Sequence, residues 1–265
     1  MNLHYVIGSD VSKSLSPLIH NYLFKKLNID AIYKAFSITD SNSISKFLLQ
    51  IKNQDIRGVN VTNPYKEKII PLLDHIDNKA KKISSVNCIA LNEKKQLSGW
   101  NTDWYGFVQL IISHKINLIG KKVKIIGYGG AGRSIEYALY SLGILDINIY
   151  TRKKIDHPNS FVYHKPSDFF SDHLDTDIII NATPFHFIND DSTVFDEFIS
   201  RDLVWIDLLY TKLSTEKYKK ITEKKYFNGL EMLIHQALES INIWYGKNIT
   251  KSVDLHDLKE RINAK

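Results

Sequence analysis

Apolar residues along the chain fall into short runs of strand length, which alternate with stretches of helical spacing. Leu3 to Ile7 is the first such run, and Ser16-Pro17 begins a helix that extends to about Leu27, with Ser16 as the expected N-cap. Alternation of this kind indicates an α/β fold. The same pattern predicts further strands at 31–38, 58–62, 123–126, 147–150, 161–163, 177–181, 203–207 and 226–228.

Helical spacing separates most of these strands. The longest helical pattern covers 230–245, where apolar residues recur every three or four positions. Pro71 must bend the helix expected around 69–73 or begin a new first turn there. Residues 85–91 and 96–100 are typical of a hairpin. Other helices are predicted at 44–51, 102–114, 167–172, 217–225 and 254–262.

A glycine-rich loop lies between the strand at 123–126 and the helix that follows it. Three of its glycines have the spacing G-x-G-x-x-G, and a second strand after the helix completes a βαβ unit. In such a unit one glycine permits the tight turn, one lets the backbone approach a pyrophosphate, and one lets helix and strand pack closely. The helix N-terminus adds free N–H groups and a partial positive charge. The sequence thus predicts a dinucleotide site at the loop that contains Gly127, Gly129 and Gly132.

The second strand of this unit ends at Tyr150 and is followed by Thr151-Arg152-Lys153-Lys154. An NAD site usually has an Asp or Glu at this point, which accepts the hydrogen bond of the ribose 2′-hydroxyl. Three cations without a carboxylate suit a 2′-phosphate instead, although solvated basic loops are also common on protein surfaces. The position directly after the strand favours NADP as the cofactor.

Composition places the chain among ordinary globular proteins, since 43% of its 265 residues are hydrophobic and 24% are charged. The net charge of +6 could attract anions, but the lysines are scattered and form no basic stripe with interleaved aromatic residues, so we expect no nucleic-acid partner. The single Cys88 excludes an internal disulfide and is compatible with a reducing cytoplasm. We expect no membrane span, because no apolar run is long enough, and no metal site, because no Cys/His spacing suggests one.

Polar clusters follow several strands of the first hundred residues. They are Lys13-Ser14-Leu15-Ser16-Pro17, Asn60-Val61-Thr62-Asn63-Pro64-Tyr65-Lys66, Ser85-Val86-Asn87 and Asn101-Thr102-Asp103. Turns and helix caps would explain each cluster alone. Ligands of open α/β sheets, however, bind at the carboxyl ends of strands, and uncharged donors and acceptors there suit a small ligand rich in hydroxyls. Lys66 and Asp103 are the chargeable residues nearest to those polar groups.

A series of motifs in these clusters and beyond them occurs in a known order over nearly the whole chain. They are Ser14-Leu-Ser-Pro17 with His20-Asn21, Gly58-Val-Asn-Val-Thr-Asn-Pro-Tyr-Lys66, Val86-Asn87, Gly99-Trp-Asn-Thr-Asp103 with Gly106-Phe107, the glycine loop 127–132, Asn181-Ala-Thr-Pro184, Asp207-Leu-Leu-Tyr210 and Gly229-Leu-Glu-Met-Leu-Ile-His-Gln236. In this order they resemble the shikimate dehydrogenase family. The NVTxPxK and NTDxxGF signatures are highly specific in combination.

The resemblance implies that Lys66 and Asp103 form the catalytic pair. It also implies that the two serines of the first motif and Tyr210 meet the substrate carboxylate, while two asparagines, Asp103 and Gln236 meet the ring hydroxyls. The shikimate pocket implied in this way is lined by Ser14, Ser16, Thr62, Asn87, Asn101, Tyr210 and Gln236.

For the cofactor, the resemblance implies that Arg152 lies near the 2′-phosphate and that Thr183 and Gly229 lie on the route to the nicotinamide. The implied NADP-binding set is Gly127, Gly129, Gly130, Ala131, Gly132, Thr151, Arg152, Lys153, Thr183, Leu208 and Gly229. The implied fold has two α/β domains with a cleft between them. We expect an N-terminal substrate domain of 1–101 plus 237–265 and a Rossmann-type nucleotide-binding domain of 102–236.

The chemistry of such a reaction agrees with the residue types. Reduction of a ring ketone moves a hydride to carbon and a proton to oxygen, so an acid must lie nearby, and the same group is the base in reverse. Lys66 can fill that role or can act chiefly as a cation that stabilises the developing alkoxide. Asp103 would hold the reacting hydroxyl and Lys66 in register. Without the flanking motifs, a surface salt bridge of little energetic value would be the simpler reading.

Four positions depart from the family pattern. The usual x-Gly-Met after the NATP motif is Phe185-His186-Phe187, which puts the placement of the nicotinamide in question. Cys88 replaces the usual Thr after Asn87. Thr151-Arg152-Lys153 replaces Asn-Arg-Thr but keeps the arginine, and Lys13-Ser14 replaces His-Ser.

The sequence therefore predicts an NADP-dependent oxidoreductase of the cytoplasm that interconverts 3-dehydroshikimate and shikimate in aromatic amino acid (chorismate) biosynthesis. The nearest alternative is an NAD-using quinate/shikimate dehydrogenase. An alternative of another class is a catalytically weak, nucleotide-binding sensor. Intact Lys66 and Asp103 argue against the sensor, and Phe185-His186-Phe187 keeps it open. Both a monomer and a homodimer fit.

Overall fold

The computed structural model of the chain describes residues 1–40, 42–53, 56–152, 162–164, 176–184, 203–210, 225–246, 248–250 and 253–263. Contacts divide the chain into two compact units, one formed by Met1–Gly106 with Leu233–Lys265 and the other by Phe107–Met232. Each unit contains a six-stranded sheet with helices, so the predicted fold class of two α/β domains is confirmed. The division lies a few residues from the predicted boundaries after 101 and 236. The roles assigned to the two domains stay predictions.

The sheet of the first unit has the order β2-β1-β3-β5-β6-β4. Its strands are β1 (Asn2–Gly8), β2 (Ala31–Ser37), β3 (Ile56–Val61), β4 (His75–Ile76), β5 (Cys88–Leu91) and β6 (Leu97–Trp100). Strand β1 pairs in parallel with β2 and β3, while β5 pairs antiparallel with β3 and with β6, which confirms the predicted hairpin. Parallel β1 and β3 end at the same edge, and there the N–H of Thr62 donates to the carbonyl of Ile7 at 2.8 Å.

Seven helices are described in the two units. They are α1 (Ser16–Lys26), α2 (Asn42–Asn53), α3 (Asn78–Ile83), α4 (Asp103–Ser113), α5 (Gly130–Ser141), α6 (Leu230–Tyr245) and α7 (His256–Asn263). Ser16 was expected to be the N-cap of α1, but the cap is Leu15, because Ser16 already belongs to the first turn and the Ser14 hydroxyl accepts its N–H at 3.2 Å.

The segment between β3 and β5 departs most from the sequence prediction. Instead of a helix over 69–73, it contains a short 3₁₀ helix, Ile70–Leu72, whose first turn holds Pro71. Helix α3 follows it and was not predicted. Its cap is conventional, because the Asp77 carboxylate accepts the backbone N–H groups of Lys79 and Ala80.

The second unit has an all-parallel sheet with the order β12-β11-β10-β7-β8-β9. Its strands are β7 (Val123–Ile126), β8 (Ile147–Tyr150), β9 (Val162–His164), β10 (Ile178–Asn181), β11 (Val204–Asp207) and β12 (Tyr226–Asn228). The central strands are buried isoleucine runs, as expected for a sheet covered on both faces. Strand order reverses between β7 and β10, which makes their carboxyl ends a topological switch point. The helices predicted at 167–172 and 217–225 lie outside the described residues.

Gly143 follows α5 with φ +82°, and the N–H of Ile144 bonds back to the carbonyl of Leu139 at 3.0 Å. This closes the helix in a left-handed cap that only glycine adopts without strain. Among the helices of the described residues, none is both long enough and apolar enough to cross a membrane.

Two histidines are fully buried in the first unit. The ring of His20 stacks on that of Tyr33, with centroids 4.0 Å apart, and the ring of His4 lies 4.7 Å from Trp244. His20 Nδ1 donates to the Ser16 carbonyl at 2.9 Å, and within the described residues neither nitrogen of His4 has a hydrogen-bond partner. Burial lowers the pKa of both imidazoles to about 3, so both are neutral in the folded protein.

We expect the folded state to lose stability as the pH falls below about 6.5, the ordinary pKa of histidine. Above that value both imidazoles are neutral in the folded and the unfolded chain. Below pH 6.5 the histidines of the unfolded chain become protonated, whereas His4 and His20 of the folded chain stay neutral until the pH approaches 3. Between about pH 7.5 and about pH 5, each histidine should reduce the free energy of unfolding by about 2 kcal/mol.

Urea unfolding at the two pH values measures this loss. A His4→Phe, His20→Phe double variant should show a shallower pH dependence than the wild type, whereas His256→Phe, which alters an exposed histidine, should not. An unchanged slope in the double variant would contradict the assignment.

Candidate active site

The predicted pair Lys66 and Asp103 is in direct contact. Lys66 Nζ donates to Asp103 Oδ2 at 2.6 Å, and the two side chains are only 16% and 9% exposed. Asp103 is the first residue of α4, so the partial positive charge of the helix N-terminus also acts on its carboxylate. This is not a solvated surface salt bridge, because both groups lie largely out of water.

Asn101 and Asn87 hold the Asp103 segment in place. Asn101 Oδ1 accepts the backbone N–H groups of Asp103 at 3.0 Å and Trp104 at 3.3 Å, which caps α4, and its amide donates to the carbonyl of Ser85 at 2.9 Å. Asn87 Nδ2 donates to Asp103 Oδ1 at 2.7 Å. Each carboxylate oxygen therefore has its own donor, from Asn87 on one side and Lys66 on the other.

Thr102 joins Asn87 to the neighbouring side chains. Its N–H donates to Asn87 Oδ1 at 2.6 Å, and its hydroxyl accepts from Asn87 Nδ2 at 3.0 Å. Gln236 Oε1 lies 3.4 Å from both Asn87 Nδ2 and Thr102 Oγ1, and Gln236 Nε2 donates to the Leu233 carbonyl at 2.9 Å. The structure thus brings four predicted residues, Asn87, Asn101, Asp103 and Gln236, into one buried network with Lys66.

A further layer of this network was not predicted. Asn60 Nδ2 donates to the carbonyl of Asn87 at 3.0 Å and to Ser240 Oγ at 2.9 Å, and Asn60 Oδ1 accepts from the hydroxyl of Tyr33 at 2.8 Å. Asn60 could have been found, since it begins the NVTNPYK stretch. Ser240 lies one turn after Gln236 on α6, and its sequence context carries no signal for such a role.

The serines of the first motif lie at the beginning of α1. Ser14 is half-buried and Ser16 is buried, and the Ser14 hydroxyl accepts the N–H of Ser16. Half-buried Thr62 follows β3, and its methyl group lies where a Cβ on Gly8 would come within 2.5 Å. The loops after β1 and β3 are therefore neighbours, which places these hydroxyls at the carboxyl edge of the first sheet.

Burial raises the pKa values of two further groups, the Cys88 thiol and the Tyr210 phenol. Burial raises the pKa of the Cys88 thiol to about 12, so the residue next to Asn87 is an unreactive core group. Tyr210, which belongs to the second unit, is partly buried, and that burial raises the pKa of its phenol.

The glycine loop of the second unit has the geometry that a pyrophosphate requires. Gly127 has φ +95°, and a Cβ there would lie 2.7 Å from Thr183 Cγ2. A Cβ on Gly132 would lie 2.2 Å from the carbonyl oxygen of Gly127, so helix and strand pack too closely for a side chain. A Cβ on Gly129 would meet nothing, which leaves the approach to the N-terminus of α5 open.

The other predicted cofactor residues of the described chain lie at the carboxyl ends of neighbouring strands. Thr183 Oγ1 donates to Asn181 Oδ1 at 2.8 Å, and the N–H of Leu208 donates to the Asn181 carbonyl at 3.0 Å. A Cβ on Gly229 would lie 2.2 Å from the Leu208 carbonyl oxygen. Asn181, buried at the end of β10, also donates to Asp207 at 3.3 Å and was missed as an organiser of this edge.

Thr151 and Arg152 follow β8 directly, and the Arg152 side chain is exposed. Lys153 and the unusual Phe185-His186-Phe187 segment lie outside the described residues. The predicted catalytic pair thus lies at the carboxyl edge of the sheet in the first unit, and the predicted cofactor residues lie at the carboxyl edge of the sheet in the second unit.

The buried network predicts a stability cost for the loss of a single hydroxyl. Thr102→Val should lower the free energy of unfolding by about 1–3 kcal/mol, because Asn87 and its neighbours lose a buried partner. Ser113→Ala, which removes an exposed hydroxyl bonded to the Gln109 carbonyl on the same helix, should change it by less than about 0.5 kcal/mol. Denaturant unfolding measures both values, and equal effects would show that the network contributes nothing to folding.

Comparison with known proteins supports one family. The model of the shikimate dehydrogenase substrate-binding domain matches residues 6–89. The shikimate dehydrogenase (NADP(+)) of Clostridium beijerinckii is 36% identical over 92% of this chain and 92% of its own length. The crystal structure of shikimate dehydrogenase 1 from Peptoclostridium difficile superposes with a TM-score of 0.84 at 36% identity, covering 100% of this chain and 97% of that one.

A further solved structure, a shikimate dehydrogenase in complex with NADP+, has a TM-score of 0.77 and 29% identity and covers 94% of this chain and 92% of its own. Sequence and structural similarity extend over both units. The chain belongs to the shikimate dehydrogenase family.

Proposed function

We propose that this chain is an NADP-dependent shikimate dehydrogenase that catalyses the reversible reduction of 3-dehydroshikimate to shikimate. The observation that carries the proposal is the 2.6 Å contact between Lys66 and Asp103, which lies largely out of water at the carboxyl edge of the first sheet. Relatives over 30% identical across most of the chain bear that name. The reaction would serve aromatic amino acid (chorismate) biosynthesis.

The proposed chemistry assigns the proton to Lys66. When bound, NADP(H) supplies or accepts the hydride. Lys66 gives a proton to the oxygen of the ring ketone as it becomes a hydroxyl, and takes it back in the reverse direction. The same ammonium group stabilises negative charge that develops on that oxygen.

Asp103 positions both the reacting hydroxyl and Lys66. Its geometry is fixed from behind by Asn87 and by the N-terminus of α4, so little reorganisation is needed during the reaction. In the proposed pocket Asn87, Asn101 and Gln236 bind ring hydroxyls, whereas Ser14, Ser16 and Tyr210 bind the substrate carboxylate and Thr62 lines the wall.

The residues of the second unit fit a dinucleotide. The turn at Gly127, the open approach at Gly129 and the N-terminus of α5 suit the pyrophosphate. Arg152 would form a forked, charge-assisted contact with the 2′-phosphate. The remaining proposed contacts are Gly130, Ala131, Gly132, Thr151, Lys153, Thr183, Leu208 and Gly229.

Less specific properties complete the proposal. We infer a cytoplasmic enzyme, since the single cysteine is a buried thiol, that acts as a monomer or a homodimer. The alternative is an NAD-using quinate/shikimate dehydrogenase. Activity assays with each substrate and each cofactor distinguish the two functions. The intact Lys66–Asp103 contact favours an enzyme over a sensor.

Replacement of Lys66 tests the catalytic assignment. Lys66→Met should lower kcat by about 10²- to 10⁴-fold, the usual contribution of a general acid–base group, while shikimate still binds. Steady-state kinetics with shikimate and NADP+, together with calorimetric binding of shikimate, measure the two effects. Lys68→Met alters an exposed lysine two residues away and should leave kcat within a few-fold of wild type. A similarly small effect of Lys66→Met would remove Lys66 from the mechanism.

Replacement of Arg152 tests the cofactor assignment. The wild type should prefer NADP to NAD by at least about tenfold in kcat/KM, equivalent to about 1.4 kcal/mol. Arg152→Ala should weaken NADP use and leave NAD use nearly unchanged, because only NADP carries the phosphate that the guanidinium binds. The preference should shrink as salt rises, since Arg152 is exposed.

Arg261→Ala, which removes an exposed arginine on α7, serves as the charge-matched control and should alter neither cofactor. Equal use of NAD and NADP by the wild type would favour the quinate/shikimate alternative.

A further inference from the structure

The phosphate-binding loop, residues 127–132, contains only one side chain larger than a methyl group, that of Tyr128. This side chain does not point into solvent: Tyr128 is 4% exposed. Its hydroxyl donates to the carboxylate of Glu136, which lies in the second turn of α5 and is 7% exposed. A buried side-chain hydrogen bond thus ties the phenol of the loop to the helix that follows it.

The Glu136 carboxylate occupies a buried position on α5 that would ordinarily hold an apolar side chain. Its neighbours on α5, Ile135 and Leu139, are fully buried. Burial of a carboxylate is costly even when it is hydrogen-bonded, and well-packed apolar groups are often at least as stabilising. A hydrogen bond differs from apolar packing because it is directional, so the pair fixes the position of the phenol more closely than packing alone.

Fixing Tyr128 restricts the two glycines beside it. Gly127 is held on one side by its N–H, which donates to the Tyr150 carbonyl at 2.9 Å, and the Gly129 carbonyl accepts the N–H of Arg133 at 3.1 Å. Between these points glycine backbone is intrinsically free. The buried phenol supplies the middle anchor, and the Arg133 guanidinium packs over its ring at 5.3 Å.

We propose that Tyr128 and Glu136 are positioning residues that hold the phosphate-binding loop in its pyrophosphate-binding conformation before the ligand arrives. A preformed loop lowers the entropy lost on binding, and this gain applies to any ligand with a pyrophosphate. The inference rests on the proposed use of a dinucleotide cofactor and identifies which residues prepare the site for it.

Calorimetric titration of three ligands separates positioning from a purely structural role. Tyr128→Phe removes only the hydroxyl and should weaken both NADP+ and NAD+ by about tenfold. Adenosine 2′-monophosphate carries the 2′-phosphate but no pyrophosphate, so its affinity should stay unchanged. Tyr140→Phe makes the same substitution at a 56% exposed position of α5 and should affect none of the three ligands.

Two variants of the partner residue complete the test and replace Tyr128→Phe if that protein does not fold. Glu136→Gln retains an acceptor for the Tyr128 hydroxyl and should bind dinucleotides nearly as well as wild type. Glu136→Met fills similar space without an acceptor and should show the tenfold loss.

The outcomes distinguish this inference from the proposed function. A folded Tyr128→Phe variant with unchanged affinity for NADP+, or with an equal loss for adenosine 2′-monophosphate, would overturn the positioning role alone. Failure of the wild type to bind either dinucleotide would overturn the proposed function and this inference with it.

Discussion

The polar core of the first unit is arranged around one buried negative charge, the carboxylate of Asp103. A carboxylate with 9% of its side chain exposed must be met by opposite charge and by donors, because burial of an unpaired charge is costly. Lys66 and Asn87 each bond one of its oxygens, and α4 directs its positive end at the same group. The pairing that stabilises Asp103 therefore also places Lys66 where the proposed proton transfer requires it.

The residues that bind Asp103 need hydrogen-bond partners in turn, because each buried donor and acceptor must be paired. Asn87 is held by Thr102 and, through its carbonyl, by Asn60. Asn60 in turn reaches Tyr33 and Ser240. The Asp103 carboxylate is thus connected to four other segments of sequence, those of Tyr33, of Asn60 with Lys66, of Asn87 and of Ser240. The second unit uses a different device at its own sheet edge, where the absence of side chains at Gly127, Gly129 and Gly132 shapes the loop.

Local sequence rules predicted what depends on local geometry. The cap at Gly143 and the close packing at Gly132 follow from the backbone conformation that each position needs, so the spacing of glycines was enough to find them. The hairpin of β5 and β6 and the parallel strands of the second unit were also predicted, because their apolar runs have strand length and clear boundaries.

The rest depended on contacts that sequence spacing does not encode. Helix α3 is only six residues long, too short to produce a periodic pattern, and the Ser16 cap failed because Ser14 was available to bond its N–H. Ser240 and Glu136 were missed for a common reason. Each is a polar residue on a buried helix face, and its role becomes visible only when the partner, Asn60 or Tyr128, is known.

Isotopic transfer in the wild-type reaction is the most direct test of the proposed chemistry. Shikimate deuterated at the carbon that bears the reacting hydroxyl is incubated with the purified chain and NADP+, and both products are analysed by mass spectrometry. Direct hydride transfer should give 3-dehydroshikimate and deuterated NADPH in equal amounts, with shikimate re-formed when NADPH is in excess. A folded chain that binds NADP+ yet yields neither product would contradict it.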